Sequence, residues 1–171
     1  HKNGSYVEGG LDCVACHNNG QDRSAKNSAP GFGPMVHSMH WGVGNELSGA
    51  KQDEDGNNVA NSADSLNADN CVSCHAEGIS LAEIPNQYML SKAFNGGTSG
   101  VMTSPVTANC YACHDSASAL SHMEQNGGEL NVGINDNSTE VWYEQQTMES
   151  CATCHDTGKS FGIDKFHNFE R

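Results

Sequence analysis

The chain has 171 residues, with 36% apolar residues, 19 glycines and 8 Lys plus Arg against 21 acidic residues, a net charge of −13. That balance excludes nucleic acid and anionic membrane surfaces as partners, since both need basic patches. No stretch reaches the ~18 apolar residues that a membrane-spanning helix needs. The length suits one domain, but a composition this polar is ill suited to burying a core of its own.

In chain order, residues 1–12 carry His1 and lead into Cys13-Val14-Ala15-Cys16-His17. An Asn-, Gly- and Ser-rich loop follows over 18–33. The string Gly33-Pro34-Met35-Val36-His37-Ser38-Met39-His40-Trp41-Gly42 then reads as a short helix, opened by Pro and closed by Gly. Its two histidines fall at i and i+3 on one face. They stand too close to take opposite sides of one metal ion and could serve two neighbouring sites. Asp53-Glu54-Asp55-Gly56-Asn57-Asn58 lacks the later bidentate Glu of a calcium loop and reads as a solvated turn.

Cys71-Val72-Ser73-Cys74-His75 follows, and then 81–94, which reads as a helix around or after Pro85, stopped by Asn95-Gly96-Gly97. From Cys110-Tyr111-Ala112-Cys113-His114 a helix is expected to continue to Gln125, before Gly127-Gly128. His122 then lies about 12 Å along that helix from His114, so the two imidazoles should reach different partners. Asn137 with Glu140 reads as a helix start. That helix is expected to run through Trp142 and Met148 into Cys151-Ala152-Thr153-Cys154-His155 and to end at Gly158. The tail carries Phe161, Phe166, His167 and Phe169. No β-alternation stands out.

All eight cysteines fall in four C-x-x-C-H strings, and this pattern reads as c-type haem attachment. Two thiols on one turn can each form a thioether to a haem vinyl, and the histidine after them can reach the iron. Structural zinc or disulfides would also use paired cysteines, but neither needs a histidine after the second one. The chain is therefore expected to carry four covalently attached haem c groups. Cys13, Cys16, Cys71, Cys74, Cys110, Cys113, Cys151 and Cys154 would hold the rings, and His17, His75, His114 and His155 would be proximal ligands. The expected fold is one tetrahaem domain over 1–171, mostly irregular coil with a few short α-helices and little or no β, with the haems as its core.

The sixth iron position separates a carrier from an enzyme. Five histidines lie outside the motifs: His1, His37, His40, His122 and His167. They suffice to close four irons, so Met35, Met39, Met102 and Met123 read as packing around the rings. Bis-histidine haems imply electron transfer. A multihaem reductase would need an open iron and basic groups around it, and this chain is poor in Lys and Arg.

The strings around His37 and His40, the run from His122-Met123 to Asn126-Gly127-Gly128, and Cys151 to His155 followed by His167 resemble the pentahaem domains of the OmcA/MtrC family of outer-surface cytochromes. The resemblance covers most of 10–170. It implies that His37, His40, His122 and His167 are distal ligands, and that the setting is extracellular or cell-surface, with the periplasm as the alternative. Covalent haem attachment outside the cytoplasm also implies that a leader was removed. Two departures stand out: four motifs instead of five, and no β-rich flanking domains. The chain is thus a haem-domain fragment of a larger decahaem cytochrome or a free-standing tetrahaem protein. In size and haem count it is also similar to the subunits of extracellular cytochrome filaments. Expected partners are further copies in a head-to-tail filament, joined by His1 reaching a neighbour's haem, or other multihaem cytochromes. Metal oxides would be acceptors for an acidic surface.

Overall fold

The structure is a computed structural model, and it describes residues 32–33, 36–37, 75, 78–92, 101–134 and 145–167. Its described elements are a 3-10 turn at Leu81–Glu83, strands β1 (Met89–Lys92) and β2 (Val101–Thr103), helices α1 (Pro105–Cys110) and α2 (Ala117–Gln125), strand β3 (Val132–Gly133), and helices α3 (Ala152–His155) and α4 (Ile163–Phe166). The first two cysteine motifs, apart from His75, lie outside the described residues. So do His1, His40, the 53–58 loop and the start expected at Asn137.

The strands form an antiparallel sheet in the order β1-β2-β3. Met89 faces Thr103 and Leu90 faces Met102, with an irregularity between Leu90 and Lys92. Leu90 and Ile134 pack together with Met102 against them. Much of what the sheet and α1 enclose is polar: Ser91, Thr103, Ser104 and Thr107 are all fully buried. Burying such groups costs little once each is bonded. The Ser91 and Thr103 hydroxyls bond each other, Thr103 Oγ1 accepts from the Asn131 amide at 2.9 Å, and Ser104 Oγ accepts from the Glu129 amide at 2.8 Å.

This sheet corrects the helix expected over 81–94. Only one 3-10 turn forms, closed when the Ile84 amide donates to Leu81. Pro85 has no amide to extend it. Asn86 is then taken up with distant backbone, its Oδ1 accepting from the Thr147 amide at 3.0 Å and its Nδ2 donating to the Thr147 carbonyl at 3.2 Å. The chain is therefore extended where it enters β1.

Helix α1 opens with Ser104 as N-cap and Pro105 in its first turn and delivers Cys110. It does not continue into α2. The chain turns through 111–113, and α2 begins afresh where Ser116 Oγ accepts from the Ala119 amide at 3.2 Å, a side-chain cap that stops a helix from running through. Its other end follows the expected Gly-Gly signal: Gly127 sits at φ 86°, and the Gly128 amide donates to Met123 O while the Gly127 amide donates to Glu124 O, the paired bonds of a Schellman stop. The helix expected to run from Met148 into the fourth motif is likewise absent. Residues 146–150 have no regular structure and α3 is a single turn, because Glu149 and Ser150 bond to other parts of the chain.

Candidate haem-binding site

Each described motif is one tight turn. In the third, the amides of Cys113 and His114 both donate to Cys110 O, at 3.1 and 2.9 Å. In the fourth, Cys154 and His155 repeat this on Cys151 O at 3.2 and 2.9 Å. The same turn thus presents two thiols and an imidazole twice over. Burial first, then nearby Cys151, Glu149 and Cys113, pushes the Cys110 thiol up to about 12. Burial and then Glu149 push Cys151 up as well. Among the described residues no disulfide joins the cysteines. Among the described residues no three His, Cys, Asp or Glu side chains gather as a zinc site would require.

The histidines come in pairs. His114 and His167 have ring centres 5.9 Å apart, His122 and His155 are 5.9 Å apart, and His37 and His75 are 6.2 Å apart. Every pair joins a motif histidine to one outside the motifs. His114 and His122 have different partners, although they do not share the one helix expected to separate them.

Two pairs, His114–His167 and His122–His155, line a single cavity of about 510 Å³ together with Cys110, Cys151 and Cys154. Its apolar walls include Leu81, Val106, Met123, Ile163 and the phenylalanines 161 and 166. These residues fit a haem. With metal–imidazole bonds of about 2 Å, two rings on opposite sides of one iron have centres about 6 Å apart. The ring nitrogens are also oriented for ligation. His155 Nδ1 is 2.9 Å from the Phe161 carbonyl and His167 Nδ1 is 3.2 Å from that of Ile163. A proton held on Nδ1 by such a carbonyl leaves Nε2 as the ligating lone pair. Asn126 steadies His122, its Nδ2 donating to the His122 carbonyl at 2.8 Å and lying 3.5 Å from Nδ1.

A family model described as outer membrane cytochrome MtrC/MtrF-like, domains II/IV, matches residues 1–168. The chain belongs to this family. Among curated proteins none matches it. Of solved structures, it is similar to the crystal structure of the outer membrane decaheme cytochrome OmcA, at 22% identity and a TM-score of 0.43 over 86% of this chain and 21% of that one. It therefore spans about a fifth of that protein's length. As an MtrC/MtrF-like domain it is a multihaem c-type cytochrome domain of a family of the outer membrane. Among the described residues, no helix is long and apolar enough to cross a membrane.

Two acidic residues that hold the site together had no signal in the sequence. Asp156 accepts from the Leu81 amide at 2.8 Å and the Thr157 amide at 3.0 Å. The Leu81 bond, first among its contacts, holds its carboxyl below the usual range. It joins the fourth motif to the stretch that follows the second. Glu149 Oε1 accepts from Thr107 N and Thr107 Oγ1, both at 2.6 Å, and from Ser104 Oγ at 2.9 Å, while Oε2 accepts from Val106 N at 2.8 Å. A side chain far along the chain thus supplies the N-terminal acceptors of α1.

Proposed function

We propose that this chain is an electron relay that holds four c-type haems, each closed by two histidines, on the outer surface of the cell. The observation that carries this reading is the pairing itself: three motif histidines each face a non-motif histidine at iron-spanning distance. In this reading His75 and His37 hold one haem, His114 and His167 the next, and His155 and His122 a third. His17 takes His40 or His1, all three outside the described residues. When bound, a c-type haem supplies one-electron chemistry, its iron alternating between ferric and ferrous. The chain's own part would be to hold each haem between two imidazoles, to present Nε2 of His155 and His167 by holding Nδ1 on a carbonyl, and to surround the rings with apolar groups. A reductase needs an open position, and the pairing leaves none at His75, His114 and His155.

The matched family model describes domains of a larger protein, which favours a haem domain working within a longer outer-membrane cytochrome. One of His1 and His40 is then surplus to the chain's own irons. It is available to a haem beyond the chain, whether on the longer protein or, in a filament, on a second copy. The acidic surface suits positively charged or mineral acceptors such as ferric oxides, and other cytochromes that present basic faces.

Substituting a distal histidine tests the reading. The native protein should be low-spin throughout. H122A should open one iron per chain, giving a high-spin signal and one equivalent of carbon monoxide binding to the reduced protein. High-spin haem in the native protein, or an H122A spectrum identical to it, sinks the bis-histidine assignment.

A further inference from the structure

Glu149 belongs to no haem motif, yet it stands between two of them. Its carboxylate takes four hydrogen bonds, from the Val106 and Thr107 amides and the Ser104 and Thr107 hydroxyls. Three of those donors are in α1, whose last residue is Cys110. Glu149 itself is two residues ahead of Cys151. The side chain therefore ties the approach of the fourth motif to the helix that delivers the third, and both motifs line the same cavity.

We propose that Glu149 is a positioning residue that sets the potentials of the two haems held at Cys110–His114 and Cys151–His155 and fixes one motif against the other. This deepens the relay reading and rests on it. These four donors hold the carboxylate in one place against α1. A fixed negative charge beside a haem stabilises the ferric state over the ferrous one and lowers the potential. Half-buried and fixed by its four donors, that charge acts on both rings. One residue thus biases two adjacent haems in the same direction.

The experiment compares E149Q, E149D and T107V in the mature protein by spectroelectrochemistry. E149Q keeps the shape and removes the charge. Two of the four haems should shift to higher potential, by about tenfold in the ferric-to-ferrous ratio, or ~59 mV for one electron. E149D, which restores the charge, should return them toward the native values. T107V removes a hydroxyl donor but no charge, so it should lower the melting temperature and leave the potentials in place. A purely mechanical role would make E149Q and T107V alike. Unchanged potentials in an E149Q protein that carries its full set of low-spin haems overturn the inference and leave the relay reading intact, whereas high-spin haem in the native protein overturns the relay reading instead. Should E149Q fail to mature, infrared difference spectra of the native protein decide. A carboxylate band assigned to Glu149 by its displacement in T107V is expected to move on reduction, and a silent carboxylate region overturns the inference.

Discussion

The sheet with α1 and the wall formed by α2, α3 and α4 are built on opposite plans. In the first, Leu90, Thr103, Pro105 and Thr107 are fully enclosed by other protein atoms. In the second, no residue of the three helices is buried. Phe166 of α4, with Phe161 just ahead of it, remains 70% exposed and Phe161 60%, and both line the cavity beside the paired histidines. The sheet region is thus held by protein–protein contacts and satisfied hydroxyls. The helical wall is held by the Ser116 cap, by Glu149 and Asp156, and by Leu120 and Met123 packed on Tyr111 and Ala112, and it turns Met123, Ile163 and Phe166 toward the cavity. A chain poor in apolar residues can afford one small protein core, and in the proposed reading the haems serve as the other.

The sharpest way to break that contrast is to remove one attachment. The double substitution C151S/C154S should lower the mass by one haem. Hydrogen exchange should rise through 145–167 while β1 and β2 stay protected. Equal loss of protection in the sheet would show the two regions to be one cooperative unit.

Next in size is L90A, which truncates a fully buried side chain and should cost about 2–5 kcal/mol by denaturant titration, with the haem spectrum unaltered. A haem spectrum that changes along with stability would remove the distinction between frame and wall.

A pair of glycines sharpens it further. Gly127 and Gly158 both hold positive φ, 86° and 82°. A Cβ at Gly127 would lie 2.2 Å from the Met148 carbonyl oxygen, whereas at Gly158 nothing stands within 4 Å. G158A should cost only the left-handed backbone, about 1 kcal/mol. G127A must also push the wall's lead-in away from α2 and should cost about 2–3 kcal/mol. Equal midpoint shifts in the two variants would mean that this contact is not held in solution.

The smallest effect is alkaline and confined to the frame. Burial and then its bond to Glu129 raise Tyr88 from 10.0 to about 12. The neutral phenol is thus favoured in the folded protein, and its contribution is complete below the unfolded value. It is lost as pH rises through the folded one, in the window from about 10 to about 12. Y88F should lack that part of the stability slope, and an unchanged slope between native and Y88F protein would assign the alkaline loss elsewhere.

What the sequence by itself determined is local or additive. The C-x-x-C-H strings announce themselves because thioether chemistry needs two thiols and an imidazole on one turn, and five consecutive residues supply them. The set of non-motif histidines was legible by counting, and the Gly127-Gly128 stop by the need for positive φ just past a helix. Tertiary structure alone decided which histidine faces which. Nothing within a few residues of His167 distinguishes His114 from another partner, and the choice depends on the whole path of the chain between them. It also decided against the helices expected over 81–94 and from Met148 into the fourth motif. Asn86, Glu149 and Ser150 are compatible with a helix locally, but distant amides and carbonyls compete for them and, once the chain has folded, hold them more strongly.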